Sequence, residues 1–215
     1  MNIYFIPGLG VDNRVFRKII LPHGFNAFYF EWILPISIEE PIEEYAKRLV
    51  QSINIKAPYI LVGLSFGGII AKELQAFLKP EKTILISSVS CSDQLPWYFK
   101  MDKYLSIHRL LPAFFMKTPN PFLQWIFGIK TPEEKALFSL ILKDTDDKIL
   151  RWSLRAIVHW RNEKKGYNII HVHGTMDKLL PFRFVDADYK IEGGEHFMVY
   201  SKATEISALL TKLIS

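Results

Sequence analysis

Tyr59-Ile60-Leu61-Val62-Gly63-Leu64-Ser65-Phe66-Gly67-Gly68-Ile69-Ile70-Ala71-Lys72-Glu73-Leu74 decides the fold of this 215-residue chain. An apolar strand-like run enters the pentapeptide Gly63-Leu64-Ser65-Phe66-Gly67, and a helical pattern leaves it. A serine hydroxyl is a poor nucleophile unless it is held clear of the backbone beside a base and hydrogen-bond donors. A tight strand-to-helix turn presents it in that way, and glycines on both sides remove the collisions such a turn creates. The pentapeptide alone is a weak signal; the strand before it and the helix after it make it specific.

Outward from this turn, short β-type runs alternate with helical patterns, the sequence form of a parallel sheet covered by helices. Strands are expected at Asn2 to Ile6, Asn26 to Trp32, Ile60 to Gly63, Lys82 to Ser87, Asn168 to His173 and Ala187 to Ile191. Helices are expected at Ile38 to Ile53, with Ser37 as cap and Pro41 in the first turn, from the elbow to about Leu78, and from Lys202 to Ile214. The alternation breaks after residue 91. Pro96, Pro112, Pro119 and Pro121, with Pro132 just beyond, punctuate short helical pieces rich in aromatics, which reads as an insertion. Thr131-Pro132-Glu133-Glu134 signals a helix start, with Thr131 as cap and Glu134 as its reciprocal partner. Helices at about 132 to 143 and 146 to 162 follow.

Half of the residues, 49%, are hydrophobic, and the length suits one domain with an inserted part. The longest apolar stretch is too short to span a membrane, and the amino terminus is strand-like rather than a leader. With Cys91 the one cysteine, no internal disulfide forms and a cytoplasmic setting is the expectation. The net charge of +5 resides wholly between Ser92 and Gly166, where 13 Lys/Arg face 8 Asp/Glu. There Lys103, Arg109, Lys117 and Lys130 interleave with aromatics. Two readings of this excess stand: a surface for an acidic acyl carrier, or an ordinary solvated face. The aromatics Trp97, Phe114, Phe115, Phe122 and Trp125 are more simply the walls of an apolar pocket than a nucleic-acid surface.

Three further segments supply partners for a nucleophilic serine. Ile169-Ile170-His171-Val172-His173-Gly174-Thr175-Met176-Asp177 puts a carboxylate just past a strand, with Asp186 and Asp188 as rival carboxylates. Tyr189-Lys190-Ile191-Glu192-Gly193-Gly194-Glu195-His196 ends a strand in a glycine turn carrying His196. Ile6-Pro7-Gly8-Leu9-Gly10 follows the first strand. All four pieces fall at the carboxyl ends of strands, where parallel sheets bind ligands. His171 and His173 share a strand face without a third ligand at a recognised spacing, so strand packing is the expectation and no metal is called for. Ile69 and Ile70 occupy the Lys and Ser/Thr places of a phosphate-binding loop, which removes that reading.

With the order Ser65, Asp177, His196, the chain resembles the α/β-hydrolase superfamily over essentially its whole length. The resemblance implies an α/β-hydrolase fold of about six mostly parallel strands of β3 to β8 type, a core of residues 1–91 and 163–215, and a helical cap formed by residues 92–162. It implies that Ser65, Asp177 and His196 are catalytic, that the backbone N–H groups of Leu9 and Phe66 form an oxyanion hole, and that no cofactor is used. The expected activity is a serine esterase or thioesterase. A C–C bond hydrolase or lyase, and less so a non-catalytic ligand-binding receptor, are the alternatives on the same fold. The chain departs from the common pattern in carrying Pro7-Gly8 where relatives often have His-Gly, and in lacking the first two strands of larger relatives.

Overall fold

The computed structural model describes residues 1–105, 117–118, 120–163 and 166–214. Six strands form one sheet: β1 (Asn2–Ile6), β2 (Asn26–Tyr29), β3 (Tyr59–Leu64), β4 (Lys82–Ile86), β5 (Ile169–Gly174) and β6 (Tyr189–Ile191). Their order is β2-β1-β3-β4-β5-β6, and every neighbouring pair is parallel. Side chains alternate between the two faces of a strand, so a central strand apolar at every position needs cover on both sides. Ile3, Phe5, Ile60, Val62, Ile84 and Ile86 enter one core cluster. Tyr4, Ile6, Leu61 and Leu85 enter the other.

Helices α1 (Ile42–Gln51) and α2 (Phe66–Leu74) cover the second face through Tyr45, Leu49, Ile70 and Leu74. Helix α8 (Ala203–Ile214), preceded by the single turn α7 (Met198–Ser201), covers the first through Ile206, Leu210 and Leu213. Between β4 and β5 come α3 (Trp97–Leu105), α4 (Pro121–Phe127), α5 (Pro132–Asp144) and α6 (Asp147–His159). Among the described residues these do not make a separate core. Phe138 and Ile141 of α5 join the first cluster, and Trp152 and Ile157 of α6 join the second.

Thr131 and Glu134 form the reciprocal capping box that their spacing predicts, with Pro132 in the first turn. The start of α1 differs from the sequence expectation. Helical structure begins at Ile42 with Pro41 at the cap position, and Ser37 instead receives the Glu39 amide in a local turn. Buried Glu40 explains the shift: its carboxylate is held by Arg48 and by the Ile36 amide, which spends residues 36–40 on a bend. The second strand ends at Tyr29 rather than Trp32, because Trp32 turns inward to stack on Phe66. No helix among the described residues is long and apolar enough to cross a membrane.

Candidate active site

Ser65 sits between β3 and α2 at φ 51° and ψ −120°, a left-handed conformation costly to a residue with a Cβ. The neighbours that hold it there are glycines of necessity. A Cβ on Gly63 would lie 2.5 Å from the Gly67 oxygen and the Gly68 Cα, and one on Gly67 would collide with the carbonyl oxygens of Ile6 and Pro7. The turn is pinned on both sides, since the Ser65 amide donates to the Ile86 oxygen and the Ser88 hydroxyl to the Ser65 oxygen at 2.6 Å.

The structure brings Ser65, His196 and Asp177 together. His196 Nε2 lies 2.9 Å from Ser65 Oγ, and its Nδ1 lies 2.8 Å from Asp177 Oδ2. The carboxylate fixes the tautomer: Nδ1 carries the proton and donates it, leaving Nε2 to accept from the hydroxyl. Asp177 is buried, and Oδ1 accepts the amides of Leu179 and Leu180 at 2.9 and 2.8 Å. Burial pushes the Asp177 carboxyl up, but His196, His173 and the Leu180 amide outweigh it and hold the group below its ordinary value. Of the rival carboxylates, Asp188 accepts the backbone amide of His171, and Asp186 acts on the same buried His171.

The loops carrying acid and base are laced to each other. Thr175 and Met176 donate their amides to the oxygens of Ile191 and Gly194, at an approach so close that a Cβ on Gly174 would meet the Gly194 backbone. His196 is also held from α4: the Phe127 ring lies edge-on at 5.3 Å, and the Phe127 oxygen accepts the Phe197 amide. Beside it, buried Glu195 pairs with Lys130 and Lys178. Burial raises the Glu195 carboxyl, and the two ammonium groups bring it below its usual range.

Leu9 and Phe66 flank Ser65 on the wall of a cavity of about 270 Å³. Neither of their amides donates a backbone hydrogen bond among the described residues, which leaves two free donors beside the hydroxyl. Phe122 contributes to the cavity wall, together with Phe99, Leu123, Ile126, Leu150, Leu154 and Ile157. Two expected wall residues do not. Trp97 and Trp125 are 57% and 59% exposed, because each lies on the outer side of a short amphipathic helix while its aliphatic neighbours turn inward. Phe114 and Phe115 lie outside the described residues. The basic side chains are partly accounted for by ion pairs: Lys117 with Asp147 and Lys130 with Glu195. Arg109 and the Lys103 side chain are outside the described set.

His171 and His173 are buried together on β5, with His171 Nε2 3.2 Å from His173 Nδ1. Nε2 of His173 donates to the Leu180 oxygen at 2.7 Å, while the Tyr98 hydroxyl donates to the Leu179 oxygen at 2.6 Å. Both side chains therefore brace the short loop whose amides hold Asp177. Sequence reasoning missed this bracing, as well as Phe127 and Glu195. Adjacency of Glu195 to His196 was the only available signal, and an isolated glutamate carries no pattern.

No protein-family model and no curated protein sequence matches the chain. Solved structures do. A lipase-esterase related protein from Clostridium acetobutylicum superposes with a TM-score of 0.70 at 16% identity, covering 99% of this chain and 93% of that one. A bromoperoxidase from Bacillus anthracis gives 0.71 at 16% identity, covering 99% and 91%. A thermophilic esterase from Thermogutta terrifontis gives 0.68 at 13% identity, covering 100% and 89%. The chain has the α/β-hydrolase fold.

Proposed function

We propose that the protein is a serine hydrolase that cleaves carboxylic esters or thioesters through an acyl-enzyme. The observation that carries this reading is the hydrogen-bonded series Ser65–His196–Asp177, with the serine on a strained turn at the wall of a cavity. Ser65 Oγ attacks the carbonyl carbon as its proton passes to His196 Nε2, and Asp177 stabilises the imidazolium. The carbonyl oxygen, now an oxyanion, accepts the free amides of Leu9 and Phe66. The tetrahedral adduct collapses, the C–O or C–S bond breaks, and His196 returns the proton to the departing alcohol or thiol. Water, deprotonated by the same imidazole, then releases the acid and restores Ser65.

The neighbours' names include esterases and a bromoperoxidase, so the fold does not choose the reaction; the serine-centred relay supports the hydrolytic reading. Residues 92–162 act in this reading as the cap that encloses the acyl group, a role supported by the wall residues they contribute, from Leu95 to Ile157. Treatment with a fluorophosphonate should add one phosphonyl group to Ser65, and Ser65→Ala should lose ester hydrolysis by about 10³-fold or more. An unmodified Ser65, or a fully active Ser65→Ala protein, overturns the proposal.

A further inference from the structure

We infer that the cavity beside Ser65 receives the acyl half of the substrate, as a neutral aliphatic chain of roughly six to ten carbons, and that the alcohol or thiol half lies outside it. The inference rests on the serine-hydrolase reading and adds to it which half of the substrate is recognised and by what.

Orientation follows from the proton that His196 must return. The leaving oxygen or sulfur has to lie on the His196 side of the tetrahedral carbon, because Nε2 is its acid. The large cavity is lined by the nucleophile and by the two residues with free amides, but not by His196. The imidazole instead borders a recess of about 10 Å³ that shares Leu9, Ser65 and Phe127 with the large cavity and is completed by Gly8, Val11, Leu64 and Phe197. That recess has room for about one water-sized group. It admits the leaving atom, and later the hydrolytic water, while the rest of the alcohol or thiol must extend beyond it. With the oxyanion at the amides and the leaving atom at His196, the remaining substituent of the carbonyl carbon, the acyl chain, is the one directed into the large cavity.

Polarity sets the chain's character. Among the described lining residues Ser65 alone has a polar side chain, so a carboxylate or ammonium on the chain would lose its hydration with nothing in return. Size sets the length. An apolar cavity of about 150 Å³ holds the six carbons of benzene, which sets an upper limit of roughly ten or eleven carbons for about 270 Å³. Leu154, on α6, is half-buried and lines this space, so its size adjusts the depth available.

The test uses the full-length protein and p-nitrophenyl esters from acetate to palmitate. kcat/KM should climb by up to about fourfold per methylene, peak between six and ten carbons, and fall beyond. Leu154→Phe should move the peak to shorter chains and Leu154→Ala to longer ones. An adipate half-ester, with its terminal carboxylate, should be turned over at least 100-fold more slowly than the hexanoate. With the acyl group fixed as octanoyl, lengthening the alcohol from methyl to octyl should change kcat/KM less than threefold. A peak at acetate, a rate governed by the alcohol, or a peak unmoved in either Leu154 variant overturns the inference. If those results come from a protein whose Ser65→Ala form is inactive, the hydrolase reading stands; if Ser65→Ala retains full activity, that reading falls as well.

Discussion

Asp177 is the residue on which most of the site's local order converges. One carboxylate oxygen orients His196 and the other takes two amides of its own loop, so the group has no freedom to rotate. Asp177→Asn keeps the shape but puts an NH₂ donor within reach of Nδ1, favouring the wrong tautomer; kcat for ester hydrolysis should drop by about 10⁴ with KM little changed. His171 and His173 make a different prediction. Burial, together with the neighbouring His173, pushes the His171 imidazole down to about 3, and burial also lowers His173. His171 is therefore neutral in the folded protein down to about pH 3, while the unfolded chain protonates it below about 6.5. Between these limits the unfolded state binds more protons than the folded one. Stability should thus fall on acidification through that window, by up to about 1.4 kcal/mol per pH unit from His171, with His173 acting in the same direction. Denaturant titrations across pH 4 to 7 measure the slope, and His171→Gln should make it shallower. As the pH falls through the ordinary carboxylate range Asp177 adds to the loss, since a carboxyl held below its ordinary value contributes stability that disappears from there downward.

At the scale of elements, the strand-turn-helix from Tyr59 to Leu74 is held by the absence of side chains. Gly67→Ala would drive a methyl group into the Ile6 and Pro7 carbonyls, and the backbone has little room to yield because Ser65 is tied to Ile86 and Ser88. The variant should lose about 3 kcal/mol or more, measurable by urea denaturation, along with ester turnover. Thr131→Ala tests a milder feature. Removing the reciprocal cap of α5 should cost about 1 kcal/mol. Both elements were legible in the sequence because their determinants are local: a glycine where the chain crosses itself, and a Thr and Glu three residues apart. The start of α1 was misread for the converse reason. Its boundary depends on Glu40 reaching Arg48, a contact that hydrophobic periodicity does not record. The residues after β5 and β6 point to neighbouring loops that carry Asp177 and His196, and the two side chains meet there, while the lacing between Gly174 and Gly194 became visible only with both loops in place.

Over the whole molecule, the segment between β4 and β5 is bound into the sheet's own cores rather than laid on top of them. Trp152 of α6 stacks on Tyr45 of α1 at 4.1 Å and donates to the Glu40 oxygen, and the Trp160 indole donates to Glu73 of α2. Unfolding should therefore be a single cooperative event. Tryptophan fluorescence, dominated by Trp97, Trp125, Trp152 and Trp160 in this segment, and far-ultraviolet circular dichroism should follow the same denaturant curve; an earlier fluorescence transition would show a segment that melts on its own. The +5 net charge belongs to this segment too, yet Lys117 and Lys130 are already engaged with carboxylates. Counting charges along the chain could not reveal that pairing.

The sequence by itself determined the alternation of strand and helix, the strained serine turn, and the order of serine, carboxylate and histidine, because each is written in neighbouring residues and in where parallel strands must end. Tertiary structure alone decided what surrounds them. It brought Asp177 to 2.8 Å from His196, braced its loop with His173 and Tyr98, and turned Trp97 and Trp125 outward. It also built the cavity wall from leucines, isoleucines and phenylalanines of widely separated segments. The physical reason is range: backbone sterics and capping act within a few residues, whereas a cavity is the space left after distant elements have packed.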